Sequence, residues 1–288
     1  TIGAIIPTME NAIFARGLQA FQDELHKQGY TLLVASSSYD PKIEEEQIRT
    51  LISRGVDGLL LIGHDRSPEI IDYMKTQNIP ALVAWAYDTE ARLPSVGFDN
   101  FAAMSNLTRY IVNLGHRKLG MISSWTHTND RARARVMAVR HVMSVEGMNP
   151  DDLVLIETDY GIKTGSEAFD KIIDTLQPPS VVICGNDVLA VGALRQARTR
   201  GIEIPSDISI TGFNDIEIAQ ITKPEITTMH FSHRQMGKEA ADTLINIIKG
   251  IPTNSTTELA TKLIIRASLA SPNKSFFKKN TYYDNSID

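Results

Sequence analysis

The chain has 288 residues, 42% hydrophobic and 22% charged, with a formal net charge of −5. That length is more than one core usually serves and comfortable for two. No apolar run is long enough to cross a bilayer, and no dense Lys/Arg block offers the phosphate neutralisation on which nucleic-acid binding rests. Cys184 is the only cysteine, so an intrachain disulfide is excluded, which fits a reducing, cytoplasmic compartment.

Strand and helix alternate along the sequence. Thr1–Ile6 reads as a strand and enters at once, with no targeting segment ahead of it. Asn11–Gln28 places Ile13, Phe14, Leu18, Phe21 and Leu25 at helical spacing, and Gly29 ends it. Tyr30–Ala35 is a second strand, and Asp40-Pro41 opens a helix with a capping side chain and a proline at the first helical position. Gly58–Ile62 is a near-continuous apolar strand of the kind buried on both faces of a parallel sheet. A helix from Ser67-Pro68 and a strand over Ala81–Ala86 follow.

The pattern then restarts with strand Ser95–Phe98, helix Asn100–Leu114 and strand Leu119–Ser123. Helix Asp130–Glu146, strand Val154–Glu157, helix Lys163–Leu176 and strand Val181–Cys184 continue it. Helix Val188–Arg200, strand Ser209–Gly212, helix Arg234–Lys249 and strand Leu259–Ala267 close the fold, and residues 273–288 read as an irregular tail. This is βαβ architecture with more alternations than one sheet holds, so two similar α/β lobes are expected.

Several strands run directly into polar clusters: Ile2–Ile6 into Pro7–Phe14, Leu59–Ile62 into Gly63–Pro68, Val181–Cys184 into Gly185-Asn186-Asp187, and Ser209–Thr211 into Gly212–Asp215. In open parallel sheets the ligand lies outside the carboxyl ends of the strands, so these clusters are candidate binding loops. No C-x-x-C, H-E-x-x-H, G-x-S-x-G or G-x-x-x-x-G-K-[ST] motif occurs, and no glycine-rich phosphate loop follows a strand. The histidines are scattered without metal-ligand spacing. Neither an enzyme nor a bound cofactor is expected.

Motifs in a fixed order carry a resemblance. They are Thr1-Ile2-Gly3-Ala4-Ile5-Ile6-Pro7, Asp57-Gly58-Leu59-Leu60-Leu61, Val96-Gly97-Phe98-Asp99-Asn100 and Leu114-Gly115-His116-Arg117-Lys118-Leu119. Asn186-Asp187 with Ala190 and Gly192-Ala193, Gly212-Phe213-Asn214-Asp215, Ile226-Thr227-Thr228, Met236-Gly237 and Arg266-Ala267-Ser268 near Pro272 follow. From Thr1 to about Pro272 the chain resembles the effector-binding core of the LacI/GalR family of bacterial transcription regulators. The resemblance implies two Rossmann-like lobes of the periplasmic-binding-protein-like type I fold, joined by three crossovers. Mapped here, the N-terminal lobe is 1–97 plus 231–257 and the C-terminal lobe 98–230 plus 258–272. Relatives carry a helix-turn-helix and a hinge helix ahead of the position of Thr1. Operator DNA is therefore expected to be met only through that N-terminal domain, which this sequence does not contain.

The resemblance also implies a small-molecule effector between the lobes and a homodimer, with no membrane contact. Asn11, Ile13 and Phe14 stand at the start of the first helix; Phe14 reads either as a wall for the ligand or as helix core. Trp85 ends the fourth strand, where an indole either stacks on a sugar or plugs the lobe. Arg135 matches the arginine of the family's R-x-x-G-aromatic pattern, although Ala138 and Val139 replace the glycine and the aromatic residue. Arg131, four residues earlier, is expected on the same helical face. Tyr160 falls where relatives carry an aromatic wall, Asn186 offers a donor and an acceptor to a polyol, and Asn214 stands where many members have an aspartate. Two arginines together with that loss of an acid favour a sugar acid over a neutral sugar. A periplasmic sugar-binding protein of a transport system is the alternative with the same fold.

Overall fold

The computed structural model describes residues 1–10, 12–254 and 256–273. In chain order the elements are β1 (Ile2–Ile6), α1 (Ala15–Lys27), β2 (Leu32–Ser36), α2 (Pro41–Ser53), β3 (Gly58–Ile62), α3 (Pro68–Thr76), β4 (Ala81–Ala84) and β5 (Ser95–Gly97). They continue with α4 (Asn100–Asn113), β6 (Leu119–Ser123), α5 (Asp130–Val145), β7 (Val154–Glu157), α6 (Ile162–Ile173), β8 (Val181–Cys184), α7 (Asp187–Thr199) and β9 (Ser209–Thr211). The last are α8 (Ile218–Ile221), β10 (Thr228–Phe231), α9 (His233–Ile248), β11 (Thr256–Glu258) and β12 (Thr261–Ile264).

By their internal contacts the residues divide into two units. The first holds Thr1–Asn100, His127–Arg131 and Phe231–Thr261; the second holds Phe101–Thr126, Ala132–His230 and the described residues from Lys262 to Asn273, the rest of the tail expected over 273–288 lying outside the described residues. Residues 127–131, assigned above to the second lobe, group with the first unit because the Asp130 carboxylate accepts from the His64 backbone N–H at 2.5 Å.

The first unit is built on a parallel sheet in the order β11-β5-β4-β3-β1-β2. Every residue of β1 and β3 is buried, as their unbroken apolar sequences require. Helices start where the sequence supplies a cap: the Asp40 side chain accepts from the Lys42 N–H at 2.8 Å, and the Ser67 hydroxyl from Ile70 at 3.3 Å. At Phe14 no side chain caps, and α1 begins at Ala15 rather than at Asn11. A Cβ on Gly237 of α9 would come 2.0 Å from the Gly17 carbonyl oxygen of α1, so these two helices meet backbone to backbone.

The second unit carries a parallel sheet in the order β7-β6-β8-β9. One side of it is covered by α6 and α7 over a core of Ile122, Phe169, Ile172, Val182, Cys184, Leu189 and Ile210. Here too glycine sets the spacing, since a Cβ on Gly192 would lie 2.3 Å from the Ile162 carbonyl oxygen. The strand expected over Leu259–Ala267 is the shorter β12, which pairs with β10 in a separate two-stranded ribbon, and an unexpected strand, β11, precedes it and joins the first unit's sheet beside β5.

In both sheets the strand order reverses direction once, between β1 and β3 in the first unit and between β6 and β8 in the second. Ligands of open α/β sheets bind beyond the carboxyl ends at such a switch point. Gly63-His64 follows β3 and Gly185-Asn186 follows β8, so each unit presents polar residues there.

Candidate functional site

In the first unit Trp85 follows β4 with a left-handed backbone at φ +62°. Its carbonyl accepts from Asn100 Nδ2 at 3.1 Å, and its ring lies over Gly17, where a Cβ would come 2.7 Å from Cζ2. Phe14 meets the indole edge-on with ring centroids 5.2 Å apart. Ile13, Phe14 and Trp85 are all buried, yet Trp85 Nε1 finds no hydrogen-bond acceptor. A buried indole N–H ordinarily has one, so this donor is available to a polar group that enters. Asn11 lies outside the described residues.

The other polar cluster of this unit gathers at Gly63. Arg131 Nη1 donates to Asp130 Oδ1 at 2.8 Å, and a Cβ on Gly63, which has φ +74°, would overlap that guanidinium. Burial alone would raise the Asp130 carboxyl, but Arg131 and the N–H groups of His64 and Arg131 outweigh it and hold the group below the usual carboxylate range. A pocket of about 350 Å³ beside them is lined by Asp40, Glu44, Asp65, Asp130 and Arg131. Arg66, buried nearby, is paired with Glu44 at 2.7 Å. The expectation that Arg131 acts with Arg135 to favour an anion is corrected here. Arg131 groups with the first unit, Asp130 meets its charge, and the surrounding pocket is acidic.

The second unit brings together the other candidates. Arg135 of α5 is buried, stacks its guanidinium 4.9 Å from the centre of the Phe213 ring, and donates to the Tyr160 hydroxyl at 2.8 Å. Tyr160 follows β7 and Phe213 follows β9, so residues from the ends of two strands fix one planar cation. Asn186 caps α7, its Oδ1 accepting from the Leu189 N–H at 2.8 Å. That bond fixes the amide's orientation and leaves Nδ2, which is buried, without a partner. The Ser123 hydroxyl at the end of β6, also buried, has none either. Asn214 is buried with φ +105°, and its N–H donates to the Met229 carbonyl at 3.0 Å.

Behind these residues lies a polar network that sequence reasoning did not single out. The Asp187 carboxylate is fully buried and accepts from the Thr228 hydroxyl at 2.7 Å and from the Ile216 N–H at 2.8 Å. Burial pushes its pKa up to about 7 against the pull of those two hydrogen bonds. Asp215 bridges Arg266 at 2.6 Å and His230 at 2.9 Å. The signal available in the sequence was the paired wording Asn186-Asp187 and Asn214-Asp215, in which the first residue drew attention and the acid behind it did not. His116 is a structural residue, with Nδ1 2.8 Å from the Ser180 hydroxyl and Nε2 2.8 Å from the Ala270 carbonyl, and burial lowers its pKa. Burial likewise pushes the Cys184 thiol up and out of reach of ionisation.

The arrangement of the second unit suits a polyhydroxylated molecule: a guanidinium, a phenol, and amide and hydroxyl groups that lack protein partners. Residues 1–279 match the family described as periplasmic binding proteins and sugar binding domain of LacI family. The chain belongs to this family. It is 30% identical over 273 residues to the HTH-type transcriptional repressor CytR of Escherichia coli K12, covering 93% of this chain and 79% of that protein. A LacI family transcriptional regulator from Silicibacter pomeroyi superposes with a TM-score of 0.85 at 24% identity, covering 93% of this chain and 98% of that one. A LacI family regulator from Enterococcus faecium with bound ribose does so with a TM-score of 0.84 at 24% identity, covering 94% and 99%. The fold is thus the periplasmic-binding-protein-like type I fold expected from the sequence, and the relatives are transcriptional regulators. Among the described residues no helix is long and apolar enough to cross a membrane.

Proposed function

We propose that this chain is the effector-sensing domain of a bacterial DNA-binding transcription regulator, working in the cytoplasm. Its effector is a small sugar or sugar acid held between the two lobes, whose closure on the ligand changes operator binding by the DNA-reading heads. The observation that carries the reading is the similarity to a repressor along 93% of the chain. It supports a regulator over the periplasmic transport protein. The ligand class is supported by Arg135, Tyr160 and the buried Asn186 Nδ2, which offer donors to hydroxyl or carboxylate oxygens. Because Arg131 is already paired, a neutral sugar and a sugar acid both suit the remaining cation.

Ribose, which the Enterococcus faecium regulator holds, is the first compound to test, with gluconate as the acidic comparison. A ligand at 100 times its dissociation constant stabilises by about 2.7 kcal/mol, which for a protein of this size is a rise of about 5–10 °C in melting temperature. If neither class of compound moves the melting curve, the ligand assignment fails.

The reading also carries a homodimer. Leu33 and Val34 are exposed on β2, the edge strand of its sheet, a surface that a second copy would cover. Sedimentation equilibrium at micromolar concentration is expected to give a dimer that Val34→Lys weakens. A strict monomer would favour the transport-protein alternative.

A further inference from the structure

Segment 212–216 carries Asn214 in a conformation that does not hold itself. Asn214 and Asp215 are consecutive non-glycine residues with left-handed φ values of +105° and +52°. Such backbone persists only where its surroundings over-determine it. Around it the Thr227 and Met229 carbonyls accept from the Gly212 and Asn214 N–H groups, Asp215 pairs with Arg266 and His230, and one side chain ties the segment to α7. Asp187, in the first turn of α7, reaches across the segment so closely that a Cβ on Gly212 would lie 2.2 Å from Oδ1. One carboxylate oxygen takes the Ile216 N–H and the other the hydroxyl of Thr228 on β10. The Asp187 N–H itself donates to the Phe213 carbonyl at 3.1 Å. Phe213 and Ile216 are therefore both bonded to the residue directly after Asn186, one on each side of Asn214 and Asp215.

We infer that Asp187 is a positioning residue for the effector site, a clamp on segment 212–216 whose grip on Asn214 changes when its carboxylate takes up a proton. The inference rests on Asn186 and Asn214 being effector contacts, as proposed above. The ionised carboxylate accepts two hydrogen bonds, and Thr228 is the donor in one of them. When Asp187 is protonated, the carboxyl O–H donates to Thr228 Oγ1 and that bond reverses. The Thr228 hydroxyl, which lies 3.4 Å from the Asp215 N–H, then receives two donors, and its own hydrogen must turn elsewhere. The negative charge opposing Asp215 disappears at the same time.

The charged and titratable groups facing Asp187 are Asp215 and Arg266, which act on it through space, and Cys184 at the end of β8. Beyond them His230 pairs with Asp215, and Glu225 lies 3.8 Å from Arg266. Asp215 disfavours the ionised form of Asp187, while Arg266, the Thr228 hydroxyl and the Ile216 N–H favour it. Burial is the largest influence, and it brings the titration to about pH 7, within the range a cell visits.

The test follows the backbone amides of Asn214, Asp215 and Ile216 by NMR on the deuterated, ¹⁵N-labelled chain from pH 5.5 to 8.5. The expected result is an Ile216 amide that titrates with a midpoint near 7, loses the titration in Asp187→Asn, and keeps it in His230→Gln. Should Asp187→Asn fail to fold, the Thr228 variants decide. Thr228→Val removes a donor that favours the carboxylate and moves the midpoint up, whereas Thr228→Ser leaves it in place. Urea unfolding gives a second readout. Between the ordinary carboxylate range and about pH 7 the folded protein keeps a proton that the unfolded chain has lost. Stability from this group therefore falls as pH rises through that window and levels off above it, and Asp187→Asn removes the fall. In ribose calorimetry the affinity at pH 6 and pH 8 is expected to differ by up to about tenfold for a one-unit shift of Asp187 on binding. An Ile216 amide that does not titrate, or a titration that survives Asp187→Asn or vanishes in His230→Gln, overturns the inference. Ribose and gluconate that both bind at neither pH while Ile216 titrates overturn the ligand assignment and support the clamp.

Discussion

Gly237→Ala is expected to lower the unfolding free energy by about 3 kcal/mol or more, although alanine is the better helix former by about 1 kcal/mol. The new methyl would lie 2.0 Å from the Gly17 carbonyl oxygen, 2.9 Å from the Gly17 carbonyl carbon and 3.0 Å from the Phe21 backbone nitrogen. All three are backbone atoms of α1, so no rotamer change relieves the overlap, and the two helices have to separate. Phe21, Leu25, Ala240, Ala241 and Leu244 are buried on these helices and would lose contact together. Gly17 also supports the Trp85 ring, so the damage reaches the candidate site. Thermal unfolding of the variant checks this, and a melting temperature equal to that of the parent would show that α1 and α9 have room the structure denies them.

Arg135→Ala is expected to abolish most effector binding. Removing the cation costs about 2–5 kcal/mol if the ligand presents a carboxylate and about 1.5–3 if it presents a hydroxyl. The guanidinium is held by its stack on Phe213 and its bond to Tyr160, so its geometry is set before the ligand arrives. Arg135→Lys keeps the charge but neither the fork nor the stack, and is expected to recover little. Arg131→Ala is expected to leave affinity nearly unchanged, because the charge it removes is one that Asp130 already answers. Calorimetry with ribose and gluconate reads all three variants. Affinity in Arg135→Ala within a factor of two of the parent would remove Arg135 from the site.

Strands β3, β6 and β8 occupy the residues their apolar runs indicate, because a strand buried on both faces leaves an unbroken signature. Helices α2 and α3 begin where Asp40-Pro41 and Ser67-Pro68 say they should, since cap and proline act locally. The start of α1 was not legible, because apolar spacing continues through Ile13 and Phe14 while no side chain is there to cap them. Nor were β10 and β11, which depend on partners far away in sequence. At the site, residues placed after strands were readable as a class. The fate of Arg131 was not, although Asp130 stands beside it, since pairing is decided by where Gly63 lets both side chains come to rest. Asp187 was invisible for the same reason: its chemistry comes from burial, which no spacing announces.

Cys184 sits in β8, wholly enclosed and with its thiol held in the protonated form. Maleimides and nitroxide reagents, which need an accessible thiolate, are thereby denied the one native sulfhydryl. This chain therefore offers labels no native target, and they go only where a new cysteine is installed. One such residue on an exposed position of each unit, for instance replacing Lys75 and Lys163, turns the chain into a distance gauge. Fluorescence transfer between the two labels would then test the proposed closure for each added compound in real time, without knowing the effector beforehand.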